Sequence, residues 1–340
     1  MKLKWHHLIL VFIIISSCED ESAVPLHFPP SFMELPMGFE DFEVPSDNQF
    51  TQERWDLGKK LFFDPIMSLD SSISCASCHN PNLAFSDDKA LSLGVKSRIG
   101  TRNSPTLANV GFHPYYTREG GIPTLEMQVL IPIQEHNEFD FNIVLLAERL
   151  LNDSAYVEMA LHAYNRSPDA FVIARALACF ERSLISGYSR YDHYENYNDQ
   201  NALSSSEVNG LKLFFSDKTN CSKCHGGFNF TNYEFNNNGL YDNYLDSGRF
   251  RLTGDDIDFA KFKVPTLRNV ELTTPYMHDG SFNNLEEVIE HYNSGGFDNP
   301  QKSAIIKPLG LTQSEKNDLL AFLKSLTDNS FVNNPIFKND

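Results

Sequence analysis

Residues 74–81 have the sequence SCASCHNP, and residues 220–227 have the sequence NCSKCHGG. Both stretches contain Cys-x-x-Cys-His. The two thiols of such a motif can bond to the two vinyl groups of a haem, and the adjacent imidazole can bind the haem iron. A zinc site or a redox dithiol needs no histidine at that place, so the sequence predicts two covalent c-type haems. Their attachment and ligand residues are Cys75, Cys78 and His79 in the first motif and Cys221, Cys224 and His225 in the second.

The first residues have the composition of an export signal. Lysines precede an apolar run at residues 8–15, which is too short to span a bilayer. The Ile-Ser-Ser-Cys that follows resembles a lipobox, so we predict a signal peptide over residues 1–17, lipid attachment at Cys18 and a flexible tether over residues 18–45. The expected protein is exported to the periplasm and touches the membrane only through this lipid. An ordinary signal peptide with an incidental cysteine is the alternative.

The composition excludes some classes of partner. The chain has 340 residues and a formal net charge of −17, which argues against binding to nucleic acid or to anionic membrane surfaces. An acidic surface suits a basic electron-donor protein instead. The length allows two modest domains. Cys179 lies in an apolar helical run, where we expect a buried thiol, and no pair of cysteines remains for a structural disulfide.

The two haem motifs lie in two related halves of the chain. GKKLFF at residues 58–63 precedes the first motif, and GLKLFF at residues 210–215 precedes the second. Downstream, PTLANV at residues 105–110 recurs as PTLRNV at residues 265–270, which is an offset of 160 residues. Self-similarity at a fixed offset indicates that one haem-binding unit occurs twice.

Helix signals dominate both units, and alternating strand patterns are scarce. Capping boxes at Ser204 and Thr312 predict helix starts. The segment at residues 190–206, rich in tyrosine and asparagine, predicts the link between the halves. We therefore predict a mainly α fold of two tandem cytochrome c-like domains, residues 46–195 and residues 196–330, each with one covalent haem.

Several stretches together resemble the bacterial di-haem cytochrome c peroxidases and their MauG-type relatives. The resemblance covers residues 50–327 and includes LGKKLFFDP, SCASCHNPNLAFSD, GTRNSPTLANVGF and KVPTLRNVELTTPYMHDGSFNNLEEVIEHY. It implies a peroxidatic haem in the first domain and an electron-transfer haem in the second. The implied reaction reduces hydrogen peroxide to water with electrons from a small cytochrome c or cupredoxin.

Two other functions compete with this one. The alternative within the family is MauG-type oxidation of a protein or organic substrate. A non-catalytic di-haem electron carrier is a third hypothesis, and it would require protein ligands on both faces of both irons. A homodimer is also among the expectations.

For the first haem, the resemblance implies His79 as the iron ligand and two catalytic groups on the opposite face. Within LEMQVLIPIQEHNEF at residues 125–139, these groups are Gln128 and Glu138. A carboxyl there can move a proton between the two peroxide oxygens while an amide orients the peroxide. The residues alone leave open a solvated Gln and Glu beside a helix broken at Pro132.

Many family members carry a second histidine that blocks the open face of the first haem until reduction. Residues 80–102 of this chain contain no histidine, and SLGV stands at that place. We therefore expect this haem to rest five-coordinate or with water as its sixth ligand, without need of reductive activation. A low-spin first haem with two protein ligands in the oxidised protein would contradict this hypothesis.

For the second haem, the resemblance implies His225 as one iron ligand and leaves two candidates for the other. Counting from the Leu-Glu at residue 285 favours Tyr292, because tyrosine at this place is typical of MauG-type members. Met277 is the alternative, since a thioether is a normal ligand in c-type cytochromes.

Two further family features bear on the contact between the domains. Family members hold a calcium ion there, and the matching positions are the Asn103 side chain and the carbonyls of Thr273 and Pro275, an oxygen-only set suited to a hard cation. The family also has Trp-Asp-Gly-Arg, whose tryptophan relays electrons between the haems. This chain has REGG at residues 118–121 instead. Tyr115 and Tyr116 are the candidates for a replacement relay.

Overall fold

The computed structural model describes residues 34–339, and its fold is mainly helical, as predicted. The predicted signal peptide and Cys18 lie outside the described residues. Within the described part, no helix is long and apolar enough to cross a membrane. The helices are α1 (Gln52–Phe63), α2 (Leu125–Gln128), α3 (Leu130–Gln134), α4 (Ile143–Leu151), α5 (Ser154–Tyr164), α6 (Ala170–Arg182), α7 (Arg190–Asn196), α8 (Ser205–Phe214), α9 (Phe250–Thr253), α10 (Leu285–Ser294), α11 (Gln313–Lys324) and α12 (Asn329–Val332). Strands β1 (Phe235–Asn236) and β2 (Phe262–Lys263) pair antiparallel.

Side-chain caps explain where several of these helices begin. Ser204 and Thr312 form the two predicted capping boxes, in which the side chain of each accepts from a backbone N–H three residues later. Thr51 caps α1 in the same way, since its side chain accepts from the Arg54 N–H. Helix α6 is apolar enough to be buried on most sides, and Cys179 within it is 2% exposed, as expected.

Each half is built on a pair of tightly packed helices. Helix α1 packs on α6 in the first half, and α8 packs on α11 in the second. A Cβ atom added to Gly58 would lie 2.0 Å from the Ala176 carbonyl oxygen, and one added to Gly210 would lie 1.9 Å from the Asp318 carbonyl oxygen. Both glycines are therefore required because the helix backbones touch there.

The repeated PTLxNV segments make equivalent contacts in the two halves, each with the loop that follows the haem motif. The Thr266 hydroxyl donates to the Asn229 carbonyl oxygen at 2.6 Å, and the Thr106 hydroxyl donates in the same manner to the Ala84 carbonyl oxygen. Short 3₁₀ turns follow both segments, at Val110–Phe112 and Val270–Leu272. The duplication seen in the sequence is thus also a duplication of local structure.

The predicted link between the halves contains a helix and a buried ion pair. Residues 190–196 form helix α7, which begins with a capping box at Ser189. Asp192 in this helix accepts two hydrogen bonds of 2.9 Å from the Arg268 guanidinium, and both side chains are fully buried. The segment is therefore partly helical and is anchored to the second half by a buried ion pair, and its role as the link between the halves stays a prediction.

The described part of the predicted tether also packs against the protein. The Phe39 ring lies 5.7 Å from the Phe112 ring and 4.7 Å from the Phe228 ring, measured between centroids. Phe112 belongs to the first half and Phe228 to the second, so the segment at residues 34–45 contacts both halves. The predicted domain boundaries themselves stay predictions.

Candidate haem sites

The two motif histidines are held in the same way. His79 Nδ1 lies 2.9 Å from the Phe85 carbonyl oxygen, and His225 Nδ1 lies 3.2 Å from the Phe230 carbonyl oxygen. A carbonyl at Nδ1 makes that nitrogen the N–H donor, which leaves Nε2 with a lone pair for a metal. Burial lowers the pKa of His79, and it lowers the pKa of His225 to about 4, so both imidazoles are neutral at pH 7.

The four motif cysteines are available for covalent attachment. In both motifs a 3₁₀ turn begins at the first cysteine, at Cys75–Ser77 and Cys221–Lys223, and each thiol is free and partly accessible. The backbone N–H of each histidine donates to the carbonyl of the first cysteine at 2.9 Å, which folds the motif back on itself. Free thiols beside a neutral imidazole are the donor set that a c-type haem requires.

Gln128 and Glu138, the predicted catalytic residues of the first haem, have polar atoms without protein partners among the described residues. Gln128 Oε1 is buried and has no hydrogen bond within the described residues. Glu138 as a residue is exposed to solvent. Its carboxyl group, however, is surrounded by protein atoms, and this burial together with the nearby Glu135 charge raises the pKa of the carboxyl to about 7. Glu138 also raises the pKa of the Cys75 and Cys78 thiols, which places it within electrostatic reach of the first motif. Unsatisfied polar atoms of this kind are consistent with the predicted catalytic roles of the two residues, which stay predictions.

The loop that replaces the blocking histidine is bonded directly to the Glu138 backbone. The Val95 N–H donates to the Glu138 carbonyl oxygen at 2.9 Å, and Leu93 pairs with Ile99 as an antiparallel bridge. A Cβ atom added to Gly94 would lie 2.1 Å from the Asn137 carbonyl oxygen, so the two backbones are in contact. The SLGV loop therefore supports Glu138 and presents no histidine to the first haem.

In the second half, the structure brings both candidate ligands to one amide. Asn238 Nδ2 donates to the Met277 sulfur at 3.3 Å, and the same side chain hydrogen-bonds the Tyr292 hydroxyl. Burial raises the pKa of Tyr292 to about 12, and the Cys224 and Cys221 thiols add to the rise. Tyr292 and Met277 thus lie together on the side of the second motif, and the choice between them stays a prediction.

The predicted calcium ligand Asn103 is already bonded to a cation of the protein. The Asn103 carbonyl oxygen accepts from Arg118 Nη2 at 2.7 Å and from Arg118 Nε at 3.3 Å. Its side-chain Oδ1 accepts from the same Nη2 at 3.2 Å. This arrangement does not fit calcium on the Asn103 oxygens.

The two relay candidates lie at the contact between the halves. The Tyr115 ring stacks on Phe235 with centroids 5.3 Å apart, and the Tyr115 hydroxyl donates to the Tyr233 carbonyl oxygen. Tyr116 is buried, and its ring is 6.2 Å from the ring of His113, which in turn is 5.2 Å from Tyr233. Aromatic groups of both halves therefore meet here, although no tryptophan does.

Sequence reasoning missed Asn238 and the role of Arg118 as a bonding partner. Asn238 lies in the asparagine run at residues 236–238, which matches no motif. In the sequence, Arg118 is recognisable only as a departure from the family pattern. No local signal could have identified either residue, because their partners are between 15 and 54 positions away in the chain.

Comparison with known proteins agrees with this arrangement. The family model described as di-haem cytochrome c peroxidase matches residues 52–201. The methylamine utilization protein MauG of Methylorubrum extorquens is 34% identical over 285 residues, covering 83% of this chain and 80% of that protein. The cytochrome c551 peroxidase of Nitrosomonas europaea is 32% identical over 278 residues, covering 80% and 79%.

A solved structure supports the same assignment. The crystal structure of a MauG-like protein associated with microbial copper homeostasis superimposes with a TM-score of 0.85 at 34% identity, covering 90% of this chain and 98% of that one. With two CxxCH motifs in the arrangement described above, the chain is a peroxidase with two c-type haems. It belongs to the di-haem cytochrome c peroxidase family.

Proposed function

We propose that this peroxidase reduces hydrogen peroxide to water on the Glu138 face of the first haem, with electrons from a small cytochrome c or cupredoxin. The observation that carries the proposal is the Glu138 carboxyl. The residue is exposed, its carboxyl has no hydrogen-bond partner among the described residues, and it lies within electrostatic reach of Cys75 and Cys78. We expect Cys75 and Cys78 to hold this haem, with His79 on its iron.

Glu138 would act as the group that takes and returns a proton. When bound, the haem supplies the iron that binds peroxide and the electrons that cleave its O–O bond. Because the pKa of Glu138 is about 7, its carboxylate can accept a proton from one peroxide oxygen and its acid form can deliver that proton to the other. The unpaired Gln128 Oε1 can accept a hydrogen bond from the peroxide and hold it in place.

The second haem would store and pass on electrons, held by Cys221 and Cys224 with His225 on its iron. We propose Tyr292 as the opposite ligand, with Met277 as the alternative. The hydrogen bond from Asn238 supports a phenolate at Tyr292, because an N–H donor stabilises the negative oxygen. Calcium has no part in these steps.

A second candidate function is MauG-type oxidation of a protein or organic substrate. Two observations favour it. The first is Tyr292 on the side of the second motif, because a phenolate stabilises oxidised iron and so favours storage of oxidising equivalents. The second is the SLGV loop, whose bond to Glu138 leaves no histidine to close the first haem.

The proposal extends to organisation and location. The peroxidatic domain would span residues 46–195 and the electron-transfer domain residues 196–330. The enzyme would be exported to the periplasm and held by a lipid on Cys18. The acidic chain, with a net charge of −17, would attract a basic electron donor. A homodimer is part of the proposal as well.

Two measurements test the proposal. Intact mass of the mature protein should show two covalent haems, and one haem or bound zinc would overturn it. The holoprotein should then consume peroxide in proportion to reduced cytochrome c added as donor. If peroxide instead generates a long-lived oxidised state that cytochrome c does not discharge but an organic reductant does, the MauG-type function replaces the first.

A further inference from the structure

We propose that the Arg118 guanidinium takes the place of the calcium ion that the family resemblance predicts, so that the contact between the two halves needs no metal ion. The proposal concerns the contact itself and does not depend on which reaction the enzyme catalyses. It starts from the observation that Asn103, the one predicted calcium ligand that is a side chain, is bound by an arginine.

Both oxygens of Asn103 accept hydrogen bonds from Arg118. The carbonyl oxygen accepts two of its N–H groups, at 2.7 and 3.3 Å, and Oδ1 accepts a third contact at 3.2 Å. The Asn103 amide nitrogen donates to the Lys89 carbonyl oxygen at 3.1 Å, which fixes the orientation of the side chain. Asn103 is 6% exposed, so water does not compete freely for these oxygens. Of the two oxygens, Oδ1 is the one that the predicted calcium site would use as a ligand.

Arg118 lies where the two halves meet, as the predicted calcium ion would. Its carbonyl oxygen accepts from the Lys263 N–H at 2.7 Å, and the Asn103 N–H donates to the His278 carbonyl oxygen at 2.9 Å. Lys263 and His278 both belong to the second half. His278 is three residues from Pro275, one of the predicted calcium ligands. Asn103 therefore joins the first half to the turn that carries two of the predicted calcium ligands, and Arg118 joins it to strand β2.

The surrounding charges fit a fixed monovalent cation. Burial lowers the pKa of Arg118 to about 10, and Arg102 adds to the fall, but Asp279, Glu119 and Asp246 oppose it. The guanidinium is still charged at pH 7. A divalent ion placed against it, with Arg102 also close, would meet two like charges. Glu119 and Asp246 are already paired with Arg102, and none of the predicted calcium ligands is a carboxylate.

The same residue accounts for the departure from the family motif. Arg118 stands at the position of the family tryptophan in Trp-Asp-Gly-Arg. A tryptophan there could not donate to the Asn103 carbonyl and Oδ1 together, because indole has a single N–H. The exchange of tryptophan for arginine thus supplies the cation while removing the relay residue.

The experiment measures calcium in the holoprotein. The protein is prepared in buffer containing calcium and dialysed against EGTA, and its metal content and haem absorption and EPR spectra are recorded before and after. We expect no stoichiometric calcium and no spectral change on chelation. Arg118→Trp and Arg118→Met should each gain one calcium per chain in a Ca²⁺ titration, while Arg118→Lys keeps the charge and should not.

Two results would overturn the proposal. One is stoichiometric calcium in the wild-type holoprotein that EGTA removes with a change in the haem spectra. The other is a pair of variants, Arg118→Trp and Arg118→Met, that carry two haems and still bind no calcium. Should both variants fail to mature, the wild-type metal content decides alone, since the proposal requires it to be free of calcium.

Discussion

The two halves hold their CxxCH histidines alike and differ on the opposite face. In the first half, Gln128 and Glu138 have polar atoms that no described residue satisfies. In the second half, Asn238 bonds both Met277 and Tyr292, so the corresponding space holds a candidate iron ligand. The two halves thus share the geometry of the haem motif, and the proposed division into a site for chemistry and a site for electron storage depends on the other side chains.

The largest effect on activity should come from removing the proposed acid–base group of the first half, Glu138. Glu138→Gln should slow the reaction with peroxide by about 10²- to 10⁴-fold, because the amide can neither take nor return a proton. Haem content by mass and the circular dichroism spectrum should stay unchanged. Stopped-flow mixing with peroxide measures the rate. Glu158→Gln, at an exposed position of α5, is the control and should match the wild type. An unchanged rate in Glu138→Gln would remove this residue from the mechanism.

The proposed iron ligand of the second half, Tyr292, can be exchanged for methionine. Tyr292→Met should convert the second haem to histidine and methionine ligation and raise its potential, by part of the roughly 0.8 V range that axial ligands span. The phenolate spectrum should disappear at the same time. Met277→Leu should leave spectrum and potential nearly unchanged. If Met277→Leu abolishes the low-spin signal and Tyr292→Phe does nothing, Met277 is the ligand.

The common scaffold can be tested at its two helix contacts. Gly58→Ala and Gly210→Ala should each lower the free energy of unfolding by about 1–3 kcal/mol, because the added methyl group meets a carbonyl oxygen of the facing helix. Thermal or denaturant unfolding measures the loss. Asn209→Ala, at the exposed neighbouring position of α8, should change it by no more than about 0.5 kcal/mol. A loss confined to one of the two glycine variants would argue against equivalent helix contacts.

Asn238 should affect the reduction potential of the second haem without being a ligand of its iron. Asn238→Leu removes the N–H donor to Tyr292, so the phenolate becomes a stronger donor to iron and the potential of the second haem should fall by less than Tyr292→Met raises it. Redox titration followed by absorption measures both variants. Asn236→Leu, in the same asparagine run, serves as the control. A potential that rises in Asn238→Leu would speak against a phenolate ligand.

The smallest effect concerns pH. The pKa of Glu138 is raised from its ordinary value to about 7, first by burial and then by the Glu135 charge. Because the carboxylate form must take the first proton, the rate with peroxide should fall as pH drops through about 7 and level off above it. Glu135→Gln removes the neighbouring charge, so the pKa should fall and the acid limb should move to lower pH by less than about one unit. An acid limb that does not move, or moves upward, would contradict this coupling.

Much of the molecule could be predicted from local signals. The haem motifs confine attachment and ligation to five consecutive residues, so no tertiary information was needed to propose them. The capping boxes at Ser204 and Thr312 start helices where expected, since their hydrogen bonds span three residues. By contrast, the buried ion pair within the link at residues 190–206 could not be predicted, because the partner of Asp192 is Arg268, 76 positions away.

The sequence by itself determined the two haem motifs, the repeat and the mainly helical fold, since each depends on residues close together in the chain or on a fixed offset. Only the tertiary structure decided that Arg118 binds Asn103 and that Asn238 lies between the two candidate ligands. These contacts join residues 15 to 54 positions apart and depend on how segments of the chain fold back on one another. The physical reason is that hydrogen bonds and ion pairs act over about 3–4 Å, so chain distance carries little information about them.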